Sequence, residues 1–282
     1  MGIFRLLILT LCFLCAQGTS AQQYEFGING YASGYMGDIN PRDPFYYTNG
    51  GAGLYAQYNV NPTWGWRIAF NQLTLVARDQ DFNRSDANQR KLSFINHISE
   101  LSLLSEFHFF NYSVGGKHKS YSPYLIGGLG LIKHDPFVYY EGNKVNLRSL
   151  KLERDKENNP INYTVLAFVI PLGLGFKYNV KGPWTIGVEL NYRIVLSDNI
   201  DNISGYYPKE DIQQQELPLI KIKNKEGTIR NFDTKEWQFL ADPSANYIQN
   251  SGTLRGDAKQ WDGYMTAGIS LTYTMRNTKC TW

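Results

Sequence analysis

The sequence predicts an all-β protein, an eight-stranded antiparallel β-barrel that crosses a membrane and carries long loops at one end. Three observations predict it. The N-terminus has the pattern of an export signal, the rest of the chain contains eight segments of alternating apolar and polar residues, and the connections between them are alternately short and long. With 15 % aromatic residues, the 282-residue chain is also far from the composition of a disordered protein.

Residues 1–21 have the pattern of a secretory signal peptide. Arg5 supplies a positive charge, residues 6–16 are apolar, and Thr19-Ser20-Ala21 offers small residues for cleavage, so we expect the mature chain to begin near Gln22. The apolar stretch is too short for a membrane-spanning helix, which needs about 20 residues, and we expect no such helix after residue 21.

The eight alternating segments predict the strands. They cover residues 24–35, 51–60, 64–76, 97–111, 121–133, 164–179, 183–196 and 261–274. Most reach the length of a transmembrane strand, about 9–11 residues, which exceeds the usual soluble strand of about five or six. In the seventh segment, Trp184, Ile186 and Val188 lie on one face, whereas Thr185 and Glu189 lie on the other.

The connections and the aromatic residues distinguish a membrane barrel from a soluble sandwich. Residues 60–63, 112–120 and 180–182 are short connections, whereas residues 36–50, 77–96, 134–163 and 197–260 are long ones. Short turns at one end and long extracellular loops at the other are typical of an OmpA-like outer-membrane barrel. Aromatic residues at strand ends predict interfacial girdles: Tyr24, Tyr58, Trp64, Trp66, Tyr112, Tyr121, Tyr178, Trp184 and Tyr273.

This pattern predicts three parts in the chain. Residues 1–21 are the signal peptide, residues 22–274 form the barrel in the outer membrane, and residues 275–282 form a tail. With eight strands, both termini lie on the short-turn side, which is the periplasmic side of such barrels.

The interior of an eight-stranded barrel is just wide enough to be filled by side chains. We expect a lumen network of four acids and three bases: Glu25, Arg67, Glu100, Glu106, Lys177, Glu189 and Arg193. Unpaired charges would be costly to bury, so these groups are expected to neutralise one another. The sequence therefore predicts a plugged barrel and not a porin.

Composition and motifs argue against several functions. A net charge of +3 without a basic run argues against a nucleic-acid partner. The four histidines, His97, His108, His118 and His134, lack the spacing of a metal site. We expect no cofactor, no metal, no small-molecule substrate and no catalytic residue.

Two patterns come closest to a catalytic or metal-binding site. Ser102, Glu106 and His108 share one face of the fourth segment, but Ser102 and His108 lie about 20 Å apart on a strand, which is too far for a catalytic pair. Residues 197–202 are rich in oxygen ligands that suit calcium, yet they lack EF-hand spacing, so we favour a turn-forming role. Residues 210–225 mix charged residues with Pro and Ile. This composition fits either a small subdomain or a lid, and both alternatives stay open.

Cys280 is the one cysteine that remains after Cys12 and Cys15 leave with the signal peptide. A single cysteine in an exported protein indicates either an intermolecular disulfide or a free thiol, and both are open.

The ordered set of motifs along the chain resembles the PorG-like outer-membrane barrels associated with the type IX protein secretion system. The N-terminal half contributes Tyr35-Met36-Gly37-Asp38, Arg90-Lys91-Leu92-Ser93-Phe94, Glu100-Leu101-Ser102, Glu106-Phe107-His108-Phe109-Phe110, Pro123-Tyr124, Gly127-Gly128-Leu129-Gly130 and His134-Asp135-Pro136. The C-terminal half contributes residues 170–178, Glu189, Tyr192-Arg193, Ser197-Asp198, Ile203-Ser204, Tyr206-Tyr207 and Arg255-Gly256. One departure is Asp201-Asn202-Ile203-Ser204, where the family has an acidic pair before Val-Ser.

The resemblance implies a non-enzymatic envelope protein that is surrounded by outer-membrane lipid and docks to a periplasmic ring, built from a lipoprotein and a partner subunit. On that reading Cys280 is a candidate for a covalent tether to the ring lipoprotein, and Trp282 for an apolar anchor beside it. Two alternatives stay open: a general structural OmpA-like barrel without a secretion partner, and an outer-membrane hydrolase acting on lipid or peptide.

Overall fold

The computed structural model describes residues 23–82, 90–112, 114, 119–209, 220–223, 228–244, 250–256 and 261–275. Eight long strands form the barrel: β1 (Gln23–Met36), β2 (Asn49–Asn61), β3 (Trp64–Arg78), β4 (Ser93–His108), β5 (Tyr121–Lys133), β8 (Leu166–Lys181), β9 (Trp184–Val195) and β12 (Gly263–Met275). All neighbours are antiparallel, and the β1–β12 and β3–β4 pairings close the sheet into a barrel. The predicted OmpA-like eight-stranded fold is confirmed.

The outer face of the barrel is apolar. In β3, Trp66, Ile68 and Phe70 are exposed, whereas Arg67 and Asn71 between them are buried. The same alternation runs around the barrel and leaves large apolar side chains open to the surroundings: Ile28, Leu129, Phe168 and Ile269 are 63–68 % exposed. A continuous apolar exterior of this kind is unfavourable in water and is suited to lipid.

Aromatic side chains encircle the short-turn end of the barrel. Tyr24, Tyr58, Trp64, Trp66, Tyr121, Tyr178, Trp184 and Tyr273 are exposed or half-buried there. Neighbouring rings touch, with 5.4 Å between the ring centroids of Tyr24 and Tyr58 and 5.2 Å between those of Trp184 and Tyr273. The expectation for Tyr112 is wrong. Tyr112 is buried, and its hydroxyl lies 2.6 Å from Thr185 Oγ1, because its side chain turns inward over the end of the lumen.

Both ends of the described chain lie at the short-turn end. The register places Tyr24 opposite both Met275 and Tyr58, beside the tight β2–β3 connection. The β8–β9 turn is equally short, and Gly182 adopts a φ of +56° there, which a glycine tolerates without strain. The predicted signal peptide and residues 276–282 of the predicted tail lie outside the described residues.

The long connections form a packed layer over the opposite end, which we call the loop layer; it comprises the described residues of 37–48, 79–92, 134–165, 196–256 and 261–262. It contains the hairpin β6 (Phe137–Tyr140) and β7 (Asn143–Asn146), helix α1 (Leu147–Leu150), the hairpin β10 (Lys221–Lys223) and β11 (Ile229–Asn231), and helix α2 (Thr234–Ala241). Asp233 and Glu236 form a capping box that starts α2. Of residues 210–225, for which a small subdomain and a lid were both open, the described residues include β10. Within the described residues, no helix is long and apolar enough to cross a membrane.

The largest apolar core joins the loop layer to the barrel. Leu75 and Val169 on the strands pack in the same cluster as Leu150, Ile203 and Trp237 in the loops. Trp237 is 1 % exposed, and its indole nitrogen donates to the Leu150 carbonyl at 2.8 Å. The loops are therefore held by burial against the barrel and are not independent of it.

Candidate functional site

The lumen is filled at the short-turn end by a cluster of ion pairs. The Arg67 guanidinium contacts the carboxylates of Glu106 and Glu189, the latter at 2.6 Å, and its Nε donates to Gln57 Oε1 at 3.0 Å. The ring of Tyr55 lies under the guanidinium, 4.2 Å from its centroid. Arginine can donate in several directions at once, so one residue on β3 joins β2, β4 and β9 across the lumen.

Lys177 on β8 completes this cluster from the opposite wall. Its ammonium lies 3.0 Å from Glu25 Oε2 and 2.5 Å from Glu106 Oε1. His108 Nε2 lies 2.8 Å from the same Glu106 oxygen, and the His108 ring stacks on Tyr112. Each charge has an opposite partner, which offsets the cost of removing these groups from water.

A second ion pair fills the middle of the lumen. Arg193 Nε lies 2.6 Å from Glu100 Oε2, and the Tyr264 hydroxyl donates to the same carboxylate oxygen at 2.7 Å. Ser102 donates to Glu100 Oε1 at 3.1 Å, so its hydroxyl is engaged with an acid and not with the imidazole of His108. The seven lumen charges are thus brought into two groups, and their side chains are at most 7 % exposed. This arrangement plugs the barrel.

The loop layer contains its own buried ion pairs. The Arg255 guanidinium contacts Glu153 and donates to the Asn202 carbonyl at 2.7 Å. Glu153 in turn accepts from the backbone amides of Ser204 and Gly205. These bonds join the third and fourth long connections, and sequence patterns did not indicate them because the partners are far apart along the chain.

Three aspartates meet where β1 and β12 enter the loop layer. One carboxylate oxygen each from Asp38, Asp201 and Asp262 lies within 4.8 Å of the others, and all three residues are buried. The Tyr35 hydroxyl stands among them: it is hydrogen-bonded to Asp201, lies 2.7 Å from Asp262 Oδ1 and accepts from the Asp38 amide at 3.0 Å.

The electrostatics of this aspartate cluster favour a bound proton. Burial, and next the neighbouring Asp262, raises the pKa of Asp201 well above its usual range. Burial likewise raises the pKa of Asp262, with Asp38 adding to the effect. A phenol oxygen occupies the position between the carboxylates, so the arrangement is that of a shared-proton cluster. Asp201 belongs to the segment 197–202 considered for calcium, and its carboxylate instead accepts from Tyr35 and from the Ile203 amide.

The other histidines lie apart from these clusters. His134 is buried at the end of β5 and stacks on Tyr163 with the two rings 2° from parallel. Burial lowers the pKa of His134 to about 4, so its imidazole is neutral at physiological pH. His97 is exposed and contacts Thr74 at 2.9 Å. His118, Cys280 and Trp282 lie outside the described residues.

Comparison with known proteins assigns a family. The model of a family described as "Domain of unknown function (DUF6089)" matches residues 4–244. The chain belongs to the DUF6089 family. No curated protein matches this DUF6089 member.

Several solved outer-membrane barrels are similar in outline to this DUF6089 member. Ail, the attachment invasion locus protein of Yersinia pestis, solved with the heparin analogue sucrose octasulfate, is 10 % identical with a TM-score of 0.40, covering 91 % of this chain and 100 % of Ail. OprG of Pseudomonas aeruginosa is 8 % identical with a TM-score of 0.40, covering 92 % and 97 % of the two chains. The N-terminal barrel domain of Pseudomonas aeruginosa OprF is 10 % identical with a TM-score of 0.37, covering 89 % and 97 %. At these scores the likenesses carry no argument about function.

Proposed function

We propose that this protein is a non-enzymatic outer-membrane barrel that anchors a periplasmic ring of the type IX secretion machinery. The resemblance of the sequence motifs to PorG-like barrels is the reason for proposing the type IX secretion machinery as the partner. The barrel supplies the anchor, because its apolar outer face and its girdle at the short-turn end suit a lipid bilayer. The plugged lumen argues against transport through the barrel, since the paired charges of Arg67, Glu106 and Lys177 occupy its cross-section.

The observation that carries the docking proposal is the register of β12. Met275 pairs with Tyr24 at the short-turn end, so the tail leaves the barrel on that face. Cys280 is five residues further, and a fully extended chain spans at most about 3.6 Å per residue. Its thiol is therefore kept within about 20 Å of the barrel rim, where an oxidising periplasm favours disulfides with a neighbouring lipoprotein.

The covalent tether is tested on membranes from cells that carry the wild-type protein, Cys280→Ser, or the matched tail substitution Thr281→Ala. Non-reducing and reducing gels are compared, and any shifted band is analysed by mass spectrometry. We expect a reducible heavier species that contains a periplasmic lipoprotein, is retained in Thr281→Ala and is lost in Cys280→Ser. A monomer in every lane with an alkylatable Cys280 would overturn the tether.

A general structural barrel without a machine partner is the second candidate, and the same apolar exterior and plugged lumen favour it. Deleting residues 276–282 separates the two functions. A well-folded deletion variant with unchanged cargo secretion favours the structural barrel. Loss of secretion with normal membrane insertion supports anchoring of the ring.

A further inference from the structure

A cavity of about 380 Å³ opens in the loop layer, on the side of the protein opposite to the proposed docking face. Strand β6 and helix α2 line two sides of it, and Asp201, Ile203 and Arg255 contribute to the rest of the lining. Small-molecule sites in proteins have volumes of about 300–1,000 Å³, so this cavity is large enough for a compact ligand. None of the described residues that line it belongs to the lumen network.

Apolar groups make up slightly more than half of the lining surface. Leu92, Leu147 and Ile203 are buried in the cavity floor and belong to the core that joins loops and barrel. At the rim the aromatic side chains of Tyr139 and Phe239 are 64 % and 53 % exposed. Exposed aromatic residues beside an apolar recess are typical of a surface that buries an apolar partner.

The polar groups of the cavity favour a carboxylate. Arg255 lines the cavity and is 3 % exposed; its Nη1 contacts Glu153 and donates to the Asn202 carbonyl, and its buried Nε has no hydrogen-bond acceptor among the described residues. An unpaired buried donor is rare in proteins and calls for an acceptor, such as a water, an ion or a ligand oxygen. Lys91 adds a second positive charge at the exposed rim, and it holds a left-handed φ of 57°, a strained conformation that often accompanies binding sites.

Among the described residues of the lining, Asp201 is the one acidic residue, and its charge bears on this choice. Its carboxyl faces Tyr35 and the Ile203 amide, and burial together with Asp262 raises its pKa well above the ordinary value. A protonated Asp201 does not repel an anion. The cationic groups at the cavity are then Lys91 and Arg255, and Arg255 also pairs with Glu153.

We propose that this cavity binds a compact apolar ligand that bears a carboxylate, with the carboxylate at Arg255 and the apolar body between Phe239 and the leucine-lined floor. The free C-terminus of a short apolar peptide and a medium-chain fatty acid share this chemistry. The site is additional to the proposed anchoring role and does not depend on it.

The test is isothermal titration calorimetry on the full mature protein in lipid nanodiscs. The probes are the dipeptide Leu-Phe with a free carboxylate, the same dipeptide with an amidated C-terminus, and octanoate. We expect saturable one-to-one binding of the free dipeptide and at least ten-fold weaker binding of its amide. Octanoate binding as strong as that of the dipeptide indicates a lipid source, and weaker octanoate binding indicates a peptide terminus; both support a carboxylate site.

Two matched pairs of variants locate the binding. Phe239→Ala is compared with Phe45→Ala, which removes an aromatic side chain that is 66 % exposed outside the cavity. Lys91→Gln is compared with Lys151→Gln, since both lysines are exposed and have a left-handed φ, but Lys151 does not line the cavity. We expect the first member of each pair to weaken binding at least three-fold and the second to leave it unchanged.

Two results would overturn the proposal. One is the absence of saturable binding for the free dipeptide and octanoate alike. The other is equal binding of the dipeptide and its amide, or equal losses within each matched pair. All four substituted side chains are exposed, so the variants are expected to fold and the comparison stays decisive.

Discussion

The aspartate cluster of the loop layer predicts a pH-dependent opening that Asp201→Asn removes. The Tyr35 hydroxyl has one proton, yet it lies within hydrogen-bond distance of both Asp201 and Asp262. If both carboxylates are ionised, one of them faces the phenol oxygen without a hydrogen between them. The observed geometry therefore favours one additional proton in the cluster, in the same direction as the raised pKa values of Asp201 and Asp262.

The magnitude follows from charge and distance. The carboxylate oxygens of Asp38, Asp201 and Asp262 lie within 4.8 Å of one another. At an effective dielectric constant of about 20, two unit charges at about this separation repel by roughly 3–4 kcal/mol. Screening and local relaxation reduce this value, so we expect about 1–3 kcal/mol of loop-layer stability to depend on the shared proton.

The direction of the effect follows from the raised pKa values. Asp201 and Asp262 have higher pKa values in the folded protein than in the unfolded chain, where aspartate titrates near 3.9. The stabilisation is therefore fully present below about pH 4 and is lost as the pH rises through the folded values. Asp201→Asn cannot ionise. Its amide can donate to the Tyr35 oxygen while Tyr35 donates to Asp262, and its carbonyl can keep the bond from the Ile203 amide.

The assay is hydrogen exchange measured by mass spectrometry, corrected for intrinsic rates, on peptides that cover residues 197–207 between pH 5 and pH 9. We expect the opening free energy of the wild type to fall by about 1–3 kcal/mol over this range, whereas that of Asp201→Asn stays constant. Asp43→Asn, at an exposed aspartate of the same layer, serves as the control and should follow the wild type. Wild-type protection that does not change with pH would refute the shared proton.

Three further predictions follow from the buried ionisable side chains. Arg67→Met leaves Glu106 and Glu189 without their main cation, so the free energy of unfolding in urea should fall by about 3–5 kcal/mol, whereas Arg42→Met at an exposed site should change it by less than about 0.5 kcal/mol. The plugged lumen should give no stable conductance steps in planar bilayers, and steady ohmic openings would contradict it. The imidazole of His134 should stay neutral down to about pH 5 in NMR titration, because its pKa is lowered to about 4; the stability linked to it is present above the unfolded value near 6.5 and is lost as the pH falls toward 4.

The barrel could be predicted from sequence because its signal is local. In a strand, alternate residues face opposite sides. The sequence of segments such as 64–76 and 183–196 therefore indicates which side chains face outward and which face the lumen. Tyr112 shows the limit of this reading. An aromatic residue just beyond a strand end can face either side, and the partner that decides here, Thr185, is distant in sequence.

The loop layer could not be predicted to the same degree because its contacts are not local. Strands β6 and β7 have four residues each, too few for a clear period, and a single residue pair, Ile95 with Phe137, joins the hairpin to the barrel sheet. The aspartate cluster brings together positions 38, 201 and 262, which have no shared motif. The cavity around Arg255 depends on the same long-range packing.

The shared core of loops and barrel has a consequence for insertion into a membrane. If the strands insert from the short-turn side, the long connections cross the bilayer before their buried ion pairs, such as Arg255 with Glu153, can form. Once across, Leu150, Ile203 and Trp237 pack onto the strand residues that already line the barrel mouth. Withdrawal would then require that whole layer to unfold again. We therefore expect the folded loop layer to oppose withdrawal of the strands after insertion.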